Sequence, residues 1–428
     1  ITLRVPGDKS ISHRALMLAP LADGTSRIRG LATGADVRST AAAMRALGVE
    51  SSRVPGADEY LELSGPVELR SPGKVIDCGN SGTTARLLLG LMAGHSIAAA
   101  LDGDASLRRR PMARVMDPLS AAGAEFRERG EPGRLPLQLM GGALRPIEHK
   151  SEVASAQVKS ALLLAGLAAG VPATISEPGP SRDHTERMLR AMGARVETEL
   201  LAEGFRVRFE PAARPLLPLD TTVPGDFSSA AFWLALAVLG GCGDGVRIEG
   251  VGLNGRRTGL LRVLEAMGAS VETRTSGGER AGEPVGEIVA RPSALRGIEV
   301  PPEWLPTLLD EIPVLAIVAA RAEGSTRIRG ATELRVKESD RIANLCRNLS
   351  AVGVPNTELP DGLEIEGTWA ALSGHVTTEG DHRIAMAFGA LGALDANDID
   401  IDDRASVEVS YPGFWDELAR VVEQTEAR

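Results

Sequence analysis

An apolar helix running out in glycine recurs six times along this chain, and few folds accommodate such a pattern. The helices are expected over 15–24, 84–94, 160–170, 230–240, 313–324 and 384–394. After the first come a short strand, Ser26-Arg27-Ile28-Arg29, a polar loop, and a second helix closing on Ala46-Leu47-Gly48-Val49. Similar second-helix ends stand at Ala121-Ala122-Gly123-Ala124, Ala191-Met192-Gly193-Ala194, Ala266-Met267-Gly268-Ala269 and Ala351-Val352-Gly353-Val354. Glycine between helix and strand is ordinary loop chemistry, so one match says little. Six in phase, roughly 70–85 residues apart, specify a repeated α/β unit larger than a solenoid repeat.

Two related turns punctuate the repeats. Val5-Pro6-Gly7-Asp8-Lys9-Ser10 precedes the first helix, and Val223-Pro224-Gly225-Asp226-Phe227-Ser228 precedes the fourth. The near-equal division points to an internal duplication in which only the first copy keeps its charged groups, Lys9 and Arg14. Two domains of three units each follow, 9–222 and 1–8 with 223–428, the chain crossing near 8 and 223. The 428 residues suit two ordinary domains. The stretches 130–136 and 276–284, rich in Gly and Pro, read as exposed hairpins or loops.

Composition excludes several classes of function. A formal charge of −10 argues against a general nucleic-acid or anionic-membrane binder, and 3% aromatics leave little for stacking on bases. No apolar run is long enough to span a bilayer. Three separated cysteines, Cys78, Cys242 and Cys346, and histidines without paired spacing argue for a reducing, cytoplasmic setting and against a metal site. Only five lysines occur, and Lys9 and Lys337 both sit in charged motifs.

Polar clusters stand where helices are about to begin. Lys9, Ser10 and Arg14 at a helix start make an anion site. It is not a Walker loop, because Asp8 stands where that motif needs glycine. Asn80-Ser81-Gly82-Thr83 is a turn whose backbone N–H groups approach an anion closely. Arg108-Arg109-Arg110 is a basic run in which one arginine is expected to face a ligand. Ser155, Gln157, Ser181 and Arg182 open the next helices. In the second half, Asp310 and Glu311 lie among apolar residues, where an acid is costly without partners and suits proton transfer. Lys337, Glu338 and Arg341 gather within one turn or so, and Asp381-His382-Arg383 opens the last helix. Several cations with a few acids suit a small polyanionic substrate.

In this order the clusters resemble the enolpyruvyl transferase family, over essentially the whole chain and most closely its 5-enolpyruvylshikimate-3-phosphate synthase branch of bacterial class II. The resemblance implies an α/β fold of two domains, each of three βαβαββ units in an inside-out, barrel-like arrangement. It implies transfer of the enolpyruvyl group of phosphoenolpyruvate to the 5-hydroxyl of shikimate 3-phosphate, with domain closure assembling the site. By motif, Asp310, Glu338, Lys9 and His382 match the catalytic groups. Lys9, Ser10, Arg14, Ser155, Gln157, Ser181, Arg182, Asp310 and Lys337 match shikimate 3-phosphate contacts. Lys9, Gly82, Arg110, Gln157, Arg341 and Arg383 match the phosphoenolpyruvate site, where the herbicide glyphosate also binds. No metal or cofactor is implied, nor any nucleic-acid or membrane partner, and a monomer is expected. Many members carry a lysine just before the aromatic-Pro pair near the C-terminus. Here Val409-Ser410-Tyr411-Pro412 has none, so either Arg404 substitutes or phosphoenolpyruvate goes without that cation. The related transferase acting on UDP-N-acetylglucosamine typically has a reactive cysteine before its Arg-Pro, which 104–111 lacks. A non-catalytic phospho-metabolite sensor would not need Asp310, Glu338 and Lys9 intact.

Overall fold

A computed structural model describes residues 1–56, 59–212 and 214–427. The chain divides into two compact bodies, one of Gly7–Val223 with Glu279–Glu283, the other of Ile1–Pro6, Pro224–Gly278 and Pro284–Arg428.

The amino-terminal body holds three four-stranded sheets of one design. In the second, strands Ile76–Asp77 and Ala98–Asp102 run parallel, with the helix Gly82–Ala93 between them in sequence. Antiparallel strands Leu137–Met140 and Glu125–Glu128 complete the sheet. The third repeats this order with Ile147–Lys150, Ala173–Glu177, Gly204–Glu210 and Arg195–Leu201. In the first, Gly24–Arg29, Tyr60–Gly65 and Ser51–Val54 follow the helix Lys9–Leu18, but the leading strand is Asp220–Thr222, from the far end of the body. A crossover of order in sequence thus becomes an unbroken sheet in space.

Each sheet turns one face inward. Along Gly204–Glu210, Phe205, Val207 and Phe209 are buried while Arg208 and Glu210 are exposed, the alternation of a sheet with one wet face. Inside lie the helices Lys9–Leu18, Gly82–Ala93 and Ala156–Ala169, within a single apolar core. Gly90 lets two of them meet: a Cβ there would lie 2.0 Å from the Ala161 carbonyl oxygen. Gly7 is equally constrained, since its Cβ would lie 1.8 Å from the Gly30 carbonyl oxygen.

The carboxyl-terminal body opens likewise on a strand from a distant part of the chain, Thr2–Leu3, parallel to Val246–Gly252. Glu299–Val300, Ser325–Ile328, Gly362–Glu366 and Asn356–Leu359 form its second sheet in the same order. The third unit departs from the expected pattern. Among the described residues it has two strands, Ser373–Val376 and Asp398–Ile401, and then the helix Phe414–Glu426. Phe414, Leu418 and Val421 recur at helical spacing and are buried, so this segment packs as a helix where a hairpin was expected. The inner helices Phe227–Val238 and Ile312–Ala319 are buried on every side, which sequences apolar but for Ser228 and Ser229 permit. The stretch 276–284 is a hairpin, strand Ser270–Arg280 turning into Glu283–Arg291. Its end is not wholly exposed, because Glu283 is buried.

The inner helices begin one to six residues earlier than their apolar runs suggest. Side-chain caps explain this: Asp8 accepts from Ile11 N, Ser81 from Thr84 N, Ser155 from Val158 N, Asp226 from Ser228 N and Asp381 from Arg383 N. The first turns of these five helices carry polar residues for this reason, and Lys9, Ser10, Gln157, His382 and Arg383 stand there.

Candidate active site

In the amino-terminal body, the helix starts present cations held at fixed distances. Lys9 Nζ lies 3.0 Å from Asp36 Oδ2, at the start of the helix Ala35–Ala46. Arg14 is buried and donates to Ser10 O at 2.8 Å, Thr185 Oγ1 at 2.7 Å and Ser160 Oγ at 2.7 Å. Burial pulls its guanidinium down to about 10, against the opposing pull of Glu186 and Asp8, so it stays charged at neutral pH. Arg182 adds a second positive charge nearby.

A second cluster surrounds Gly82. Arg110 donates to Asn80 Oδ1 at 2.6 Å, and Asn80 donates to Asp104 Oδ2 at 2.6 Å. Arg86 donates to Gln157 Oε1 at 2.6 Å and to Pro111 O at 2.9 Å, and Gln157 in turn donates to Thr83 Oγ1 at 2.9 Å. A Cβ on Gly82 would lie 2.9 Å from Arg86 Nη1 and 3.4 Å from Arg110 Nη1. Two guanidinium groups therefore flank a helix N-terminus, a strong anion site. Gly82 is helical rather than left-handed, so glycine is there for space and not for backbone conformation. Of the arginine run, Arg110 alone is buried; Arg108 is exposed and paired with Asp102 at 2.6 Å.

In the carboxyl-terminal body, Arg341 is the hub. Fully buried, it reaches Asp381 Oδ2 at 2.7 Å, Glu338 Oε2 at 2.7 Å and Asp310 Oδ1 at 3.4 Å. Burial alone would lower its pKa, but Asp381, Glu338 and Asp310 outweigh that and raise it. Lys337 Nζ stands 3.7 Å from the same Asp310 oxygen, and Arg383 donates to Asp310 O at 3.0 Å. His382 is buried in the first turn of the helix His382–Gly392.

The two neighbouring acids separate sharply. The Asp310 side chain keeps 15% of its surface exposed, whereas Glu311 is fully buried between Arg257 Nη1 at 3.0 Å and Ser228 Oγ. Arg257 also reaches Ser228 Oγ at 2.6 Å and Asp226 Oδ1 at 3.2 Å. The second Pro-Gly-Asp turn lacks counterparts of Lys9 and Arg14, yet a cation from elsewhere in the chain reaches it. Its Asp226 and Ser228 are bound into an ion network through Arg257, a residue distant in sequence. Arg404 sits with its guanidinium carbon 4.0 Å above the Trp415 ring.

Residues 1–418 match the family described as EPSP synthase (3-phosphoshikimate 1-carboxyvinyltransferase). A 3-phosphoshikimate 1-carboxyvinyltransferase of Acidiphilium cryptum is 51% identical over 419 residues, 96% of this chain and 92% of that protein. The chain belongs to the EPSP synthase family. Another member, from Thermus thermophilus, is 49% identical over 98% of this chain and 96% of its own. The EPSP synthase structure from Acinetobacter baumannii superimposes with a TM-score of 0.83 at 38% identity, covering 98% of this chain and 95% of that one. The enolpyruvyl transferase NikO of Streptomyces tendae shares the fold at 20% identity, with a TM-score of 0.73 over 98% of this chain and 94% of its own. The chain is thus an enzyme, a transferase, with the two-domain enolpyruvyl transferase fold.

For an EPSP synthase family member, the sequence assigned no role to Asp36, Arg86, Arg257 or the ion cluster of Lys159, Glu177 and Glu186, nor to Asp381 within the Asp381-His382-Arg383 motif. Arg86 and Asp381 lay close to recognisable motifs, one helical turn from Gly82 and beside His382. Asp36 and Arg257 carried no local signal, since their partners are far away in sequence. Among the described residues no group of three His, Cys, Asp or Glu side chains could hold a metal, and no helix is long and apolar enough to cross a membrane.

Proposed function

We propose that this chain transfers the enolpyruvyl group of phosphoenolpyruvate to the 5-hydroxyl of shikimate 3-phosphate, releasing phosphate. The observation carrying this reading is the set around Asp310: a partly exposed carboxylate beside Lys337, Glu338 and Arg341, acid, base and cations together. Asp310 accepts the proton of the 5-hydroxyl as its oxygen bonds to C2, while Glu338 or Lys9 delivers a proton to C3. In the second step C3 gives a proton back, the C2–oxygen bond to phosphate breaks, and phosphate leaves. Lys9, Gly82, Arg110 and Gln157 of the amino-terminal body, joined by Arg86, bind phosphoenolpyruvate, as do Arg341 and Arg383 of the carboxyl-terminal body. Ser10, Arg14, Ser155, Ser181, Arg182 and Lys337 hold shikimate 3-phosphate. His382, buried in the first turn of its helix beside Arg383, is assigned with Asp310, Glu338 and Lys9 to the catalytic groups.

Buried, free cysteines support a cytoplasmic setting: burial pushes the thiols of Cys78, Cys242 and Cys346 up to about 12. A monomer remains the proposed state, to be measured by light scattering. The test of function is phosphate release from phosphoenolpyruvate with shikimate 3-phosphate, UDP-N-acetylglucosamine or no acceptor. Release with shikimate 3-phosphate alone is expected; release with the nucleotide sugar would transfer the assignment to the related enzyme.

A further inference from the structure

Lys159 has no exposed surface, in a chain that retains only five lysines. Its Nζ lies 2.9 Å from Glu186 Oε1, 3.1 Å from Glu177 Oε2 and 2.7 Å from Ser181 Oγ. Both carboxylates are as deeply buried as the lysine. Glu177, the last residue of its strand, also accepts from the Ser155 backbone N at 2.7 Å and from Ser181 Oγ at 2.8 Å. One lysine–glutamate pair thus ties together the cap of the helix Ala156–Ala169 and the turn carrying Ser181 and Arg182.

Stability gives no reason to keep such ions, because a buried charge cluster replaced whole by apolar groups of the same shape is often as stable or more so. What the ions supply is geometry. The Ser181 hydroxyl accepts from Lys159 and donates to Glu177, so its single proton is already committed. Beside this network, Arg14 is held by Ser160 and Thr185, on the helices that also carry Lys159 and Glu186.

We propose that Lys159 and Glu177 are positioning residues for the phosphate of the acceptor substrate, fixing the Ser155 and Ser181–Arg182 backbone that meets it. This rests on the reading of the chain as acting on shikimate 3-phosphate. Neither residue touches the reacting atoms, so their effect is selective. In steady-state assays of the full chain, Glu177→Gln is expected to raise KM for shikimate 3-phosphate about 10- to 100-fold. KM for phosphoenolpyruvate and kcat at saturation should stay within about twofold of the parent values. Inhibition by shikimate, which lacks the phosphate, should be unchanged. Lys159→Met should show the same split. If both KM values rise together, if KM for shikimate 3-phosphate does not move, or if both variants fail to fold, the pair is structural only and the proposal is overturned. A parent enzyme that releases no phosphate with both substrates present would instead overturn the function on which the proposal rests.

Discussion

Asp310 and Gly82 bear the heaviest chemical demands, one for a proton and one for space. Asp310→Asn keeps the size of the side chain and its place beside Arg341 and Lys337 but cannot accept a proton. It is expected to fold and to bind shikimate 3-phosphate, with kcat reduced about 10²–10⁴-fold. Calorimetric binding together with turnover checks this, and near-normal turnover would remove Asp310 from the mechanism. Glu311 is no substitute, being fully buried against Arg257. Gly82→Ala would place a methyl against Arg86 Nη1 and Arg110 Nη1, the far ends of two flexible side chains. The fold should survive while the anion cradle shrinks. The inhibition constant for glyphosate is then expected to rise more than KM for phosphoenolpyruvate, since the longer molecule needs the space most. Equal rises would show that Gly82 does not set the size of the site. Both residues were legible because each sits in a short motif. Arg257 was not, since a guanidinium in a polar loop looks solvated until Glu311 and Asp226 fold onto it.

At the scale of elements, the inner helices do the positioning, and their contacts are closer than sequence could show. Arg86 and Gln157 lie on the two helices that Gly90 allows to touch, so packing and the hydrogen bond between them depend on each other. Gly90→Ala would put a methyl against the Ala161 backbone, where nothing flexible can yield. It is expected to destabilise the amino-terminal body by about 1–3 kcal/mol, with KM for phosphoenolpyruvate raised as Arg86 and Gln157 separate. Urea unfolding and kinetics on one preparation test both halves; a stable variant with unaltered KM would show that the helix contact is slack. The six helices were legible because apolar runs fill them and glycine follows several closely, as at Gly94, Gly170 and Gly240; the first and fifth stop short of the glycines expected to end them, at Leu18 and Ala319. Their starts were displaced because Asp8, Ser81 and Ser155 cap a polar first turn that a search for apolar residues skips. The missing last hairpin had the same cause in reverse: a helical spacing of Phe414, Leu418 and Val421 overrode the repeat.

At the scale of the whole molecule, three histidines of the amino-terminal body make stability fall on the acid side. His13, His95 and His149 are all held below the ordinary value of 6.5, chiefly by burial, and His13 also by Lys9 and Arg14. The folded chain keeps them neutral while the unfolded chain protonates them near that value. Their contribution is therefore complete above about pH 6.5 and is lost as pH falls below it. Urea midpoints should drop between about pH 7.5 and 5.5, and His13→Gln, which can still bond Thr40, should flatten the fall. A midpoint constant over that range would contradict the assignment. The central claim is chemical, that one enolpyruvyl group moves from phosphate to the 5-oxygen of shikimate 3-phosphate. Its most direct test is nuclear magnetic resonance of the purified chain with phosphoenolpyruvate labelled with ¹³C at C2 and shikimate 3-phosphate. The expected result is an enol-ether carbon bonded through oxygen to the shikimate ring, appearing in step with inorganic phosphate. Phosphate appearing with labelled pyruvate instead, or a labelled carbon that stays bound to phosphate, would contradict it.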